Sequence, residues 1–249
     1  MKQNLSFIFV HGLSGWGSYD KTYKRMPCWG MRGGNLMVFL REKGFNCYAA
    51  SVSPTGSAWD RACELYAQLA GKKSDYGEVH SRSYDHARFG RDFTDNPLIP
   101  SFDQDSRLVL LGHSFGGATI RLFAHLMAHG DEAERDSLSS PPPSGLFAGN
   151  MGDRIHSIVT LAAPTNGTTA YDLFQDPDFD PDKVTVPLWG RPLTRMMSMG
   201  TKPKKDGHDD RDYADYDMQI DNALSLTRLL LAELARRHTE VFSELQIEI

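Results

Sequence analysis

The stretch Leu108-Val109-Leu110-Leu111-Gly112-His113-Ser114-Phe115-Gly116-Gly117 decides the fold of this 249-residue chain. Four apolar residues run straight into Gly-His-Ser-Phe-Gly, and Ala118 to Met127 continue with helical periodicity. An apolar run bounded by turn residues fits a strand buried on both faces of a parallel sheet. Strand, sharp turn and helix with serine at the turn make a nucleophile elbow. Glycines at 112 and 116 allow the tight turn, because a Cβ there would meet neighbouring backbone. The serine hydroxyl is lifted above the sheet edge. The N-terminal N–H groups of the helix point at any oxyanion formed by its attack.

Upstream, Leu5 to Val10 reads as the first core strand and runs into His11-Gly12-Leu13-Ser14-Gly15-Trp16-Gly17. A His-Gly loop after an early strand is where the second oxyanion donor sits ahead of a serine elbow. The donors are then the backbone N–H groups of Leu13 and Phe115. Taken alone the loop is equally a plain strand-to-helix turn. Together the two motifs predict an α/β-hydrolase fold, a mostly parallel sheet flanked by helices.

The remaining elements follow in order. A helix spans Asn35 to Lys43 and stops at Gly44, and a strand spans Asn46 to Val52. Ser57 is read as the cap of a helix from Trp59 to Gly71 with Ala62, Leu65, Tyr66 and Leu69 on one face. The elbow helix runs to His129. Asp131 to Asp136 is an acidic helical extension, and Ser137 to Gly145 an exposed loop. Ile155 to Leu161 is the next strand, ending in a small-residue loop at the serine's edge of the sheet. An amphipathic helix is expected over Asp221 to Arg237 and a short edge strand within Glu240 to Ile249. We read residues 1–249 as one domain, with polar cap-like segments at 72–100 and 170–212.

Composition excludes several classes. Hydrophobic content is 40% and charged content 24%, ordinary for a globular chain. A net charge of −5 gives nucleic acid no electrostatic support, and no apolar stretch reaches the length of a membrane span. Cys28, Cys47 and Cys63 are too few and scattered for a disulfide framework. The N-terminus passes at once into a strand without a charged leader. The expectation is a cytoplasmic protein, or one whose export signal lies outside this sequence. No protein partner is predicted.

Within the polar excursion, Asp60, His80 and His86 supply a carboxylate and two imidazoles, three of the four ligands of a tetrahedral zinc site. Spacing alone favours solvated polar residues, because no CxxC or HExxH pattern supports a metal.

The longer motifs carry a resemblance. His11 to Gly17, Trp29-Gly30-Met31-Arg32-Gly33, Trp59 to Leu69, Asp75-Tyr76-Gly77, His86 to Arg91, Gly112 to Gly117, Ala163 to Thr169 and Asp212 to Asp217 together resemble the zinc-containing thermostable triacylglycerol lipases of Gram-positive bacilli. The likeness extends to about Ile220. It implies a structural zinc held by Asp60, His80, His86 and Asp212, a nucleophile at Ser114 and oxyanion donors at Leu13 and Phe115. Phe115 stands where the family has Gln. The substrate it implies is a lipid or small ester, and the family's members are secreted.

The same family places its catalytic Asp and His, and its calcium site, beyond the last residue of this sequence. After Ser114 the histidines are His125, His129, His156, His208 and His238, and none reads as a base delivered by a loop after a late strand. A serine without a base is a weak nucleophile. The expectation is therefore a C-terminally incomplete lipase with little or no esterase activity. The alternative is a non-catalytic zinc-binding hydrolase-fold remnant or binding module.

Overall fold

The computed structural model describes residues 5–165, which fall in the first of two compact units into which the chain divides. The cap segment 170–212 with His208 and Asp212, the helix expected over Asp221 to Arg237, His238 and the strand expected within Glu240 to Ile249 lie outside the described residues.

Among the described residues four strands form a parallel sheet in the order β2-β1-β5-β6: β1 (Leu5–Val10), β2 (Asn46–Ala50), β5 (Arg107–His113) and β6 (Ile155–Leu161). The expected apolar strands therefore lie side by side, with Val10 opposite Gly112 and His113 opposite Leu161. Alternation along β1 and β5 divides the core in two. Ile8, Val10, Leu108 and Leu110 are wholly buried on one face, against α3 (Ala58–Ala70) and α5 (Phe115–His129). Phe9, Cys47 and Ala49 face the other side, where Met37 of α2 (Leu36–Glu42) covers them. Each buried Leu or Ile contributes about 1.5–3 kcal/mol. The result is a three-layer α/β/α arrangement, consistent with the α/β-hydrolase fold.

Local chemistry sets the boundaries. Asn35 caps α2 by accepting from the Met37 and Val38 N–H groups. Ser57 caps α3 in a capping box with Asp60, and Gly71 ends it at φ 59°. The strand expected to reach Val52 stops at Ala50. The cause is Gln68, whose amide accepts from Ser51 N–H and donates to Ser51 carbonyl, both at 2.9 Å. A side chain from α3 thus takes the place of a strand neighbour.

The polar segment after Gly71 holds more regular structure than its composition suggests. β3 (Lys73–Asp75) and β4 (Phe89–Asp92) pair antiparallel, and α4 (Glu78–Ser83) lies between them in sequence. Arg88 makes a bidentate pair with Asp75 (2.8 and 2.9 Å), and Asp75 also accepts from Gly77 and Ser144 N–H. This buried ion pair ties the segment to the Pro-rich loop after α6 (Glu132–Arg135).

Candidate functional site

Ser114 stands between β5 and α5 with φ 53° and ψ −127°. Such a conformation costs a non-glycine residue about 1–3 kcal/mol and persists only where the surroundings enforce it. Those surroundings are backbone. A Cβ on Gly116 would lie 2.2 Å from the Val10 carbonyl oxygen, so only glycine lets α5 start this close to the end of β1. A Cβ on Gly12 would lie 2.8 Å from Ser114 Cβ and 3.3 Å from its Oγ. The loop after β1 is thereby pressed against the serine, which brings the Leu13 and Phe115 segments to one point.

The loop is held from beneath by a residue that hydropathy reading passed over. Arg61 is completely buried. Its guanidinium donates to Thr119 Oγ1 (2.9 Å), to Ser53 carbonyl (2.9 Å), to Gly12 carbonyl (3.4 Å) and to His11 carbonyl. It also lies 5.1 Å from the centre of the Phe115 ring. His11 is equally buried and donates from Nδ1 to Gly12 carbonyl (2.8 Å). Burial, with the Arg61 charge beside it, pushes its pKa down to about 3, so the ring is neutral.

With a pKa of about 3, His11 is too weak a base to take the serine proton. Among the described residues no histidine hydrogen-bonds the Ser114 hydroxyl. His113 turns its ring edge-on to Trp29, His125 and His129 lie in the C-terminal half of α5, and His156 begins β6 at the opposite end from the elbow.

In the first turn of α3, Asp60 opens a second cluster. Its Oδ2 accepts from Ser57 N–H and hydroxyl as half of the capping box. Its Oδ1 faces two imidazoles, 3.2 Å from His80 Nε2 and 3.8 Å from His86 Nε2. One donor atom from each of the three residues lies within 4.8 Å of the others. Metal–ligand bonds of about 2.1 Å at tetrahedral angles put neighbouring donors about 3.4 Å apart, so the set fits a first-row divalent ion. His86 donates Nδ1–H to Ala87 carbonyl (2.9 Å), which puts the lone pair on Nε2, the atom facing Asp60. Trp59 stacks on His80 (5.1 Å) and on Phe147 (5.6 Å). The buried carboxylate of Glu134 accepts from the Val79 and His80 N–H groups (3.1 and 2.6 Å), fixing the start of the helix that carries His80. Spacing alone had favoured solvated side chains here. The structure instead gathers all three and half-buries the imidazoles.

Between the two clusters lies Glu64, fully buried. It accepts from Ser53 N–H (2.5 Å) and from the Tyr76 hydroxyl (3.0 Å). Burial pushes its carboxyl up to about 8. Arg61, Glu64, Gln68 and Glu134 were all missed from sequence.

Comparison with known proteins adds relatives. Residues 3–181 match the family described as Lipase-like, C-terminal domain. A lipase of Staphylococcus epidermidis is 36% identical over 174 residues, 69% of this chain and 25% of the relative. A lipase of Staphylococcus hyicus is 38% identical over 168 residues, 67% and 26%. Lipase 1 from Pelosinus fermentans superposes with TM-score 0.67 at 28% identity, over 93% of this chain and 59% of that one. EstA from Clostridium botulinum gives 0.63 at 29% identity, over 90% and 56%. The chain thus spans about a quarter of the curated relatives and little more than half of these two solved structures.

Proposed function

The chain belongs to the Lipase-like, C-terminal domain family, and from that premise we propose that it carries the nucleophile half of a lipase-type carboxylic ester hydrolase. Ser114 Oγ attacks the carbonyl carbon of a lipid or small ester, and the Leu13 and Phe115 N–H groups take the oxyanion. A base from outside the described residues takes the Oγ proton and returns it to the leaving alcohol as the intermediate collapses to an acyl-enzyme on Ser114, and water then releases the acid. The observation that carries the reading is the strained Ser114 backbone, held against Gly12 by contacts only glycine permits.

Asp60, His80 and His86 would hold a zinc ion, with Asp212 as the fourth ligand. Four protein ligands leave no open position, so the ion's contribution is structural, bracing the polar segment against α3. The serine does the chemistry.

The test is turnover of a short p-nitrophenyl ester together with labelling of the chain by a fluorophosphonate. Labelling at Ser114, lost in Ser114→Ala, is the expected result. Turnover that survives Ser114→Ala, or labelling at another residue, overturns the assignment.

A further inference from the structure

We infer that Arg61 is the positioning residue that sets both oxyanion donors at once. The inference rests on the oxyanion reading above. The Gly12 carbonyl and the Leu13 N–H belong to one planar, trans peptide, so a donor that fixes the carbonyl aims the N–H the opposite way. Arg61 Nη1 and His11 Nδ1 both donate to that carbonyl, at 3.4 and 2.8 Å. The neighbouring His11 carbonyl is held by Arg61 Nη2. On the other side Arg61 Nε donates to Thr119 Oγ1 (2.9 Å), and the Thr119 hydroxyl donates to the Phe115 carbonyl (3.1 Å), in the peptide that follows the Phe115 N–H. A hydroxyl can accept and donate together, so Thr119 links the guanidinium to the first turn of α5. The guanidinium also lies against the Phe115 ring at 5.1 Å.

A planar fork with five donors in fixed directions reaches both halves of the hole from one point in the core. A fully buried charge requires such complete satisfaction. Its position on α3, one residue after Asp60, also joins the oxyanion hole to the helix that presents the metal-ligand carboxylate.

The test compares wild type, Arg61→Lys, Arg61→Met and Thr119→Val by 15N–1H spectra and by the kinetics of Ser114 inactivation with a fluorophosphonate. Arg61→Met is expected to shift the Leu13 and Phe115 amide resonances together. Its inactivation rate constant should fall roughly 100-fold with little change in the half-saturating concentration, as for a displaced oxyanion donor. Arg61→Lys should recover part of both effects. Thr119→Val should move the Phe115 amide and leave Leu13 in place. Should Arg61→Met not fold, Arg61→Lys and Thr119→Val carry the test. Folded Arg61 variants with both amides at wild-type positions would overturn the inference. A wild-type chain that takes no label lacks an activating base for Ser114, and the amide shifts still decide the role of Arg61.

Discussion

Glu64→Gln should change how stability depends on pH, and the change has a definite sign. Glu64 lies in the core between the Ser53 N–H and the Tyr76 hydroxyl. Burial, reinforced by the Asp60 carboxylate one turn earlier, pushes its pKa from the ordinary 4.5 up to about 8. Between those values the folded chain keeps a proton that the unfolded chain releases. Stability therefore falls as pH rises through that window, and the loss is complete above about pH 8. At about 1.4 kcal/mol per pH unit the whole interval amounts to on the order of 5 kcal/mol. Glutamine has the same shape, can meet both partners and carries no proton to lose. The assay is thermal unfolding of both proteins in EDTA, so that no bound cation alters the field at Glu64. Near pH 4.5 the two should melt together. At pH 8.5 the variant should melt about 10–20 °C higher, from about 2–4 °C per kcal/mol for a domain of this size. His11 runs the other way: its pKa of about 3 makes stability fall as pH drops below 6.5. That contribution is common to both proteins and cancels in the difference. Parallel melting curves from pH 4.5 to 8.5 would refute the reasoning, because they would mean that Glu64 is charged in the fold.

Two further substitutions probe the site's supports. Gly116→Ala places a methyl group 2.2 Å from the Val10 carbonyl oxygen, where nothing but backbone can yield. The expected cost is about 3 kcal/mol, visible as a melting temperature lower by about 6–12 °C, and an unchanged value would show that the elbow is looser than its geometry. Glu134→Ala removes the acceptor of the Val79 and His80 N–H groups without touching a metal ligand. Zinc affinity measured by calorimetry should fall about 10–100-fold, and an unaltered constant would mean that His80 is oriented by other contacts.

The middle of the sheet was legible in the sequence because β1 and β5 are largely apolar runs that pass into a glycine-bearing turn. Leu108 to Leu111 and Leu5 to Val10 are such runs, and parallel strands buried on both faces leave that pattern. α3 was legible only in part. Ala62, Leu65 and Leu69 mark an apolar face, but Asp60, Glu64 and Gln68 form an i, i+4, i+8 row that reads as solvated. That row is buried too, with Arg61 beside it, because each polar group has a partner contributed by distant chain. Hydropathy cannot tell a row facing water from a row facing acceptors. The cluster of Asp60, His80 and His86 was hidden for a related reason. Twenty residues separate Asp60 from His80, and only the fold of β3 and α4 closes that gap to 3.2 Å. The resemblance to zinc-containing lipases named the trio where spacing did not.

Asp60 divides its carboxylate between two tasks, one oxygen for the start of α3 and one for the imidazoles. The division bears on how descent should be traced. A lineage that gave up the ion would still need an acidic residue here to start the helix, and so would keep it. Finding Asp at this position in another sequence therefore says little about whether that protein holds a metal. The two imidazoles, which take no part in the helix cap, are the positions that would record it.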